Sequence, residues 1–291
     1  MEFGIFYAAV NPYATPEVMA AVGRASEERG IDSIWVPEHV VLFDSYDSQY
    51  PYAADGRFPA LPDSGLLEPF STLSFLAAHT STVRLATGIC LLPQRNPVYT
   101  AKEAANVDYL SNGRFDFGIG VGWLEEEFDV VNVPFADRGG RTDDYIEVLK
   151  ALWGDDPSEF HGEFYDLASC SMFPKPVQTP HPPLVFGGET APAMRRAARV
   201  GQGWHTFNRL PADIPDLLTK LDGFLADEGR SRADMVVTAS PYFNGIDPDM
   251  TEQFAEAGVD QVTALVIVGG VDDVEPAFDA LVPCIEAAHR C

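Results

Sequence analysis

The chain has 291 residues, with 44 acidic and 19 basic side chains and a formal net charge of −25. At 46% hydrophobic and 22% charged residues it can bury a large core without a disulfide or metal staple. The acidity excludes a broad basic face for nucleic acid or an anionic membrane, and no apolar run reaches the 18 residues of a spanning helix.

Strand-like and helix-like segments alternate along the chain. Residues 2–7 read as a strand, and Thr15-Pro16-Glu17 opens a helix over 16–29 that stops at Gly30. A strand at 33–36 leads into a loop at 40–68 long enough to be a lid, then a helix at 70–79. Strands at 84–91 and 115–119 are followed by helices at 100–110 and 142–153. Segments 160–165 and 172–174 read as a hairpin excursion. Strands at 184–186, 203–206, 235–242 and 261–268 then alternate with helices at 192–200, 214–227, 248–257 and 274–287. Eight such units imply a parallel sheet closed into one (β/α)8 TIM barrel spanning 1–291. The rival is an open doubly wound sheet, but Gly118–Gly122 spells GxGxG rather than the dinucleotide fingerprint.

The start, MEFGIFYAAV, has no basic leader, so the expected compartment is the cytoplasm. Cys90, Cys170, Cys284 and Cys291 form no CxxC pair, and the six histidines show no HxxxH or HExxH spacing, so no metal site is expected.

In a barrel, function collects where strands end. His39 follows the second strand and is the acid/base candidate, with Glu38 either its acidic partner or a ligand for backbone amides of a neighbouring loop. Gly88-Ile89 marks a bulge or close approach in the third strand. Gly118, Gly120 and Gly122 would clear one face of the fourth strand for a flat ring, though tight barrel packing would need the same glycines. Gly187-Gly188 precede a helix bearing Arg195, Arg196 and Arg199, a pattern suited to phosphate. Tyr50, Tyr52, Trp123, Phe128 and Trp204 are candidates for an apolar wall.

The blocks IDSIWVPEHV, RLATGICLLPQRNPVYTAKEAANVDYLSNGRFDFGIGVGW, FADRGGRTDDYIEVLKALW and PHPPLVFGGETAPAMRRAARVGQGWH, within residues 1–206, resemble the luciferase-like oxidoreductase superfamily. The likeness is greatest to its coenzyme F420-dependent branch from actinobacteria. The resemblance implies a TIM barrel with a deazaflavin across the strand C-termini. It places the acid/base role on His39, a non-prolyl cis peptide at Gly88-Ile89 within Thr87–Ile89 behind the ring, Gly120, Val121, Gly122 and Trp123 along the cofactor, and Gly187-Gly188 with Arg195 at its phosphate tail. Trp123 stands near the point where sugar-phosphate dehydrogenases of this branch carry an acid, and no lysine set follows, so a sugar phosphate is not expected. The implied activity is hydride transfer between F420 and a small organic substrate, reducing an activated C=C or C=N bond. The alternative is an FMN-dependent monooxygenase using O2. A homodimer stays open.

Overall fold

The computed structural model describes residues 1–59 and 63–291, so 60–62 of the expected lid lie outside the described residues. Eight parallel strands form a closed barrel: β1 (Glu2–Tyr7), β2 (Ser33–Val36), β3 (Arg84–Thr87), β4 (Phe115–Gly120), β5 (Leu184–Gly187), β6 (Gly203–Phe207), β7 (Val236–Ser240) and β8 (Gln261–Val266). Each pairs with the next in sequence, and β8 returns to β1 with Ile5 opposite Ala264. This is the TIM barrel that the alternation predicts.

Side-chain parity divides two cores. Phe3, Ile5 and Tyr7, Ile34 and Val36, Phe115 and Phe117, and Phe186 and Trp204 point outward into the layer between barrel and helices. Phe6, Trp35, Ala86 and Val185 fill the barrel interior, with Phe207 and Leu265 above them. Successive residues of a strand face opposite sides, so both faces are apolar and no polar alternation appears.

The helices are α1 (Pro16–Glu28), α2 (Pro69–His79), α3 (Pro97–Leu110), α4 (Glu125–Val130), α5 (Arg138–Trp153), α6 (Ala191–Val200), α7 (Ile214–Asp227), α8 (Pro248–Glu256), α9 (Val271–Asp279) and α10 (Val282–Arg290). α1 starts as the sequence predicts. The Thr15 side chain accepts from the Val18 amide, and Gly30 adopts φ +70° just beyond the end.

Several boundaries differ from expectation. The helix expected at 274–287 is two helices, because Pro283 in the first turn of α10 has no N–H to continue α9. The strand expected at 84–91 is interrupted at Gly88-Ile89, whose peptide is cis, and Cys90–Leu91 rejoins the sheet against β4. The hairpin pairs Ser158–His161 with Asp166–Cys170, while the 172–174 segment is not a strand. Two features beyond the expected elements bear on the cavity. α4 is one, and the other is a two-residue antiparallel pair of Val10–Asn11 with Gly65–Leu66 that ties the end of the long loop to the barrel mouth.

Candidate active site

A cavity of about 860 Å³ opens at the C-terminal end of the barrel. His39, three residues past β2, lies in its wall, edge-on to Phe58 and Trp123. Its Nδ1 lies 3.2 Å from Oε2 of Glu127 on α4. The Glu127 side chain is 0% exposed. Burial alone would raise its pKa. Hydrogen bonds from His39, from Gln94 Nε2 at 3.1 Å and from the Val40 amide at 2.7 Å, with the His39 charge, hold it below the ordinary carboxylate value instead. Glu127 is therefore an ionised carboxylate that fixes the imidazole through Nδ1 and leaves Nε2 to the cavity.

Glu38 is not the partner of His39. Its Oε2 accepts the Leu91 amide at 2.5 Å and its Oε1 the Arg95 Nε at 2.7 Å, so it serves as the ligand for a neighbouring loop. Arg95 also reaches Glu68 at 2.6 Å and Glu103 at 2.8 Å, joining β2, α2 and α3 beneath the mouth.

The glycines have a defined neighbour. A Cβ on Gly120 would sit 2.0 Å from Ile89 Cδ1, and one on Gly187 would sit 2.7 Å from the same atom. A Cβ on Gly118 would fall 1.9 Å from the Thr87 carbonyl oxygen. These three make room for the displaced third strand and the Ile89 side chain. Gly122, at φ +79°, makes room for Phe128, 2.8 Å from the position of its missing Cβ. Ile89, with Gly88, Gly120, Val121, Gly122 and Trp123, then forms one side of the cavity.

The long loop covers another side. Tyr50 packs against Tyr52, Phe58 and Trp123, and Tyr46 against Trp123. Burial raises the Tyr52 hydroxyl pKa to about 12, so both it and the similarly raised Tyr50 stay neutral.

Four predicted site residues do not reach the cavity. Trp204 is fully buried on the outward face of β6, and its Nε1 donates to the Gly188 carbonyl at 2.9 Å. Phe128 is buried against Phe135. Thr87 is buried, its hydroxyl donating to the Gly118 carbonyl at 2.7 Å. Arg195 is exposed and lies over the Phe224 ring at 4.9 Å. Its neighbours are also committed, since Arg196 and Arg199 both pair with Asp143, at 2.8 and 2.7 Å.

Two guanidiniums line the cavity: that of Arg209, which is paired with Glu189, and that of Arg138, at the first position of α5. Arg138 stacks on Phe135 at 3.7 Å, burial lowers its pKa, and its Nε is buried with no hydrogen-bond partner. The same cavity is lined by Gly187 and Gly188, the latter at φ +101°, followed by Glu189, Thr190 and the N-terminus of α6. A half-satisfied arginine that shares a cavity with a glycine turn and a helix N-terminus fits the phosphate of a cofactor tail. The apolar remainder fits a flat ring. Among the described residues no His, Cys, Asp or Glu group is placed to hold a metal ion, and no helix is long and apolar enough to cross a membrane.

Residues 1–264 match the family described as luciferase-like monooxygenase. An uncharacterised protein of Mycobacterium tuberculosis is 32% identical over 241 residues, 83% of this chain and 82% of that protein. The fold superposes on monooxygenase RslO1 from Streptomyces bottropensis with a TM-score of 0.77 at 19% identity, covering 100% of both chains. It also superposes on an F420-dependent secondary alcohol dehydrogenase, solved with an F420–acetone adduct, with a TM-score of 0.77 at 19% identity, covering 99% of this chain and 98% of that one. The chain belongs to the luciferase-like monooxygenase family.

Proposed function

We propose that this family member binds coenzyme F420 and transfers hydride between it and a small organic substrate, reducing an activated C=C or C=N bond. The observation that carries the reading is the His39–Glu127 pair, an imidazole held by a buried, ionised carboxylate in the wall of an apolar cavity. Reduction of a double bond takes up one hydride and one proton. The deazaflavin, when bound, supplies the hydride. His39 Nε2 delivers the proton, and Glu127 stabilises the imidazolium before transfer and fixes the ring during it. Tyr50, Phe58 and Trp123 shield the reacting face from water. Arg138 with Gly187-Gly188 anchors the tail, while Gly88, Ile89, Gly120, Val121, Gly122 and Trp123 border the ring.

The second reading is an FMN-dependent monooxygenase using O2, favoured by the family's name and by the likeness to RslO1. Fluorescence titration of the ligand-free protein separates the two. F420 should bind at least tenfold more tightly than FMN, and tighter FMN binding overturns the first reading in favour of the second. Arg138→Ala should weaken both cofactors and leave the tail-less riboflavin unaffected if Arg138 holds the phosphate.

A further inference from the structure

β6 carries two aromatic-type side chains on its inward parity, His205 and Phe207, while Trp204, just before them, faces out. His205 lines the inner end of the cavity and is 3% exposed. Its ring stands edge-on to Trp35, 4.9 Å between centroids, and edge-on to Phe207 at 6.1 Å. Its Nε2 is wholly enclosed and has no hydrogen-bond partner. Of the other polar groups buried in the barrel, Thr263 Oγ1 on β8 is also unpartnered, and the following are matched. The Trp35 Nε1 has both Ser33 Oγ at 2.9 Å and Gln261 Oε1 at 3.1 Å. The nearby Glu189 carboxylate is taken by Arg209 and the Thr206 hydroxyl. An unpartnered buried imidazole is costly, and in a cavity wall it is the mark of a group completed by a ligand.

We propose that His205 is a positioning residue whose neutral imidazole hydrogen-bonds an uncharged carbonyl, amide or hydroxyl edge of a ring bound in the cavity. Desolvation drives its pKa down to about 3, so across physiological pH it carries one donor and one acceptor nitrogen and no charge. Phe6, Trp35 and Phe207 around it would not stabilise a charged ligand group. His205 therefore differs in kind from His39, which has the Glu127 carboxylate behind it. Two rings could offer such an edge, the heterocycle of the cofactor and the carbonyl end of the substrate. The inference rests on the proposed deazaflavin or flavin site for its choice of probes.

The test compares His205→Gln with His205→Met, which have similar volume and differ in the polar group. Without ligand, the Met variant should melt about 2–4 °C above the Gln variant, because it buries no unpaired amide. It should nevertheless bind its ring more weakly, by about three- to tenfold. A split in the Kd values for F420, FMN and riboflavin assigns the edge to the cofactor ring. Equal cofactor Kd values with a shifted His205 ¹⁵N imidazole signal when cyclohex-2-enone is added to the wild-type protein assign it to the substrate. Equal cofactor Kd values within twofold, together with an unmoved signal, overturn the proposal. So does a Met variant less stable than the Gln variant. If the wild-type protein bound neither F420 nor FMN, the cofactor reading would fail, and the melting comparison and the enone signal would still decide the role of His205. If neither variant folds, the His205 ¹⁵N signal of the wild-type protein decides alone: movement on adding F420, FMN or the enone supports the proposal, and none overturns it.

Discussion

Whether the barrel glycines serve Ile89 or a bound ring can be decided by a double-mutant cycle. In Gly120→Ala the new methyl carbon would lie 2.0 Å from Ile89 Cδ1 and 2.9 Å from Cγ1, so one of the two must move, at a cost of about 1–3 kcal/mol. Ile89→Ala removes both offending carbons and costs about 2 kcal/mol, the low end for such truncations because Ile89 is only partly buried. In the double variant the nearest atom left to the new methyl is Cβ of residue 89, at 3.8 Å, an ordinary contact. The pair should therefore cost about as much as Ile89→Ala alone, leaving an interaction energy of about 1–3 kcal/mol. Urea unfolding reads this as a midpoint recovery of about 0.7 M for 2 kcal/mol at an m-value near 3 kcal/mol/M. Gly118→Ala is the control. Its methyl would meet the Thr87 backbone oxygen at 1.9 Å, which no change at residue 89 removes. Additivity within about 0.5 kcal/mol for the Gly120 cycle, or equal rescue of Gly118→Ala, would refute the packing argument.

His39→Ala should leave cofactor affinity within a few-fold and lower turnover of an accepted enone or imine by roughly 10²–10⁴; full turnover removes the proton-donor assignment. Glu127→Gln keeps the volume and the Val40 contact but loses the charge behind His39. It should lower turnover by about 10–100-fold and stability by about 1.5–3 kcal/mol, read by steady-state kinetics and urea unfolding. Buried His205, with its pKa lowered to about 3, leaves the unfolded chain to take up a proton that the folded chain refuses. Stability should accordingly fall as pH drops from about 6.5 towards 3, by up to about 2.7 kcal/mol at pH 4.5. His205→Met should flatten that limb, and an unchanged acid profile contradicts the assignment.

The barrel was legible because eight β/α repeats left few other closures, and His39 because it follows a strand. Glu127 was not. It lies 88 residues from its partner, on a six-residue helix too short to show a period, inside a Glu125-Glu126-Glu127 run that reads as solvated charge. The parity of β6 held an unused signal. Gly203, His205 and Phe207 share a face, so Trp204 had to point away from the cavity. The arginines show a limit of reading by cluster. Adjacent helix positions diverge by about 100°, which sends Arg195 to Phe224 and Arg196 to Asp143, while the two arginines that line the cavity, Arg138 and Arg209, lie elsewhere in the chain. The glycines were legible as a close approach, but what approaches is Ile89 at Gly120 and Gly187, the Thr87 carbonyl at Gly118 and the Phe128 ring at Gly122.

α4 gives its two neighbouring carboxylates separate duties. Glu126 accepts the amides of Asp47 and Ser48 at 2.6 and 3.2 Å, clasping the aromatic loop, while Glu127 holds His39. One short turn of helix is thus the common hinge-pin of the pocket's cover and of His39, the proposed proton donor. Inserting or deleting one residue there would swing both clasps round the axis together. Remodelling the cover to admit a bulkier guest would pull on the same turn and reorient the imidazole. On the proposed function, substrate breadth and proton delivery would be inherited as one trait, and an effort to widen the first should begin away from residues 46–48, on the Phe243 and Ile267 rim of the cavity.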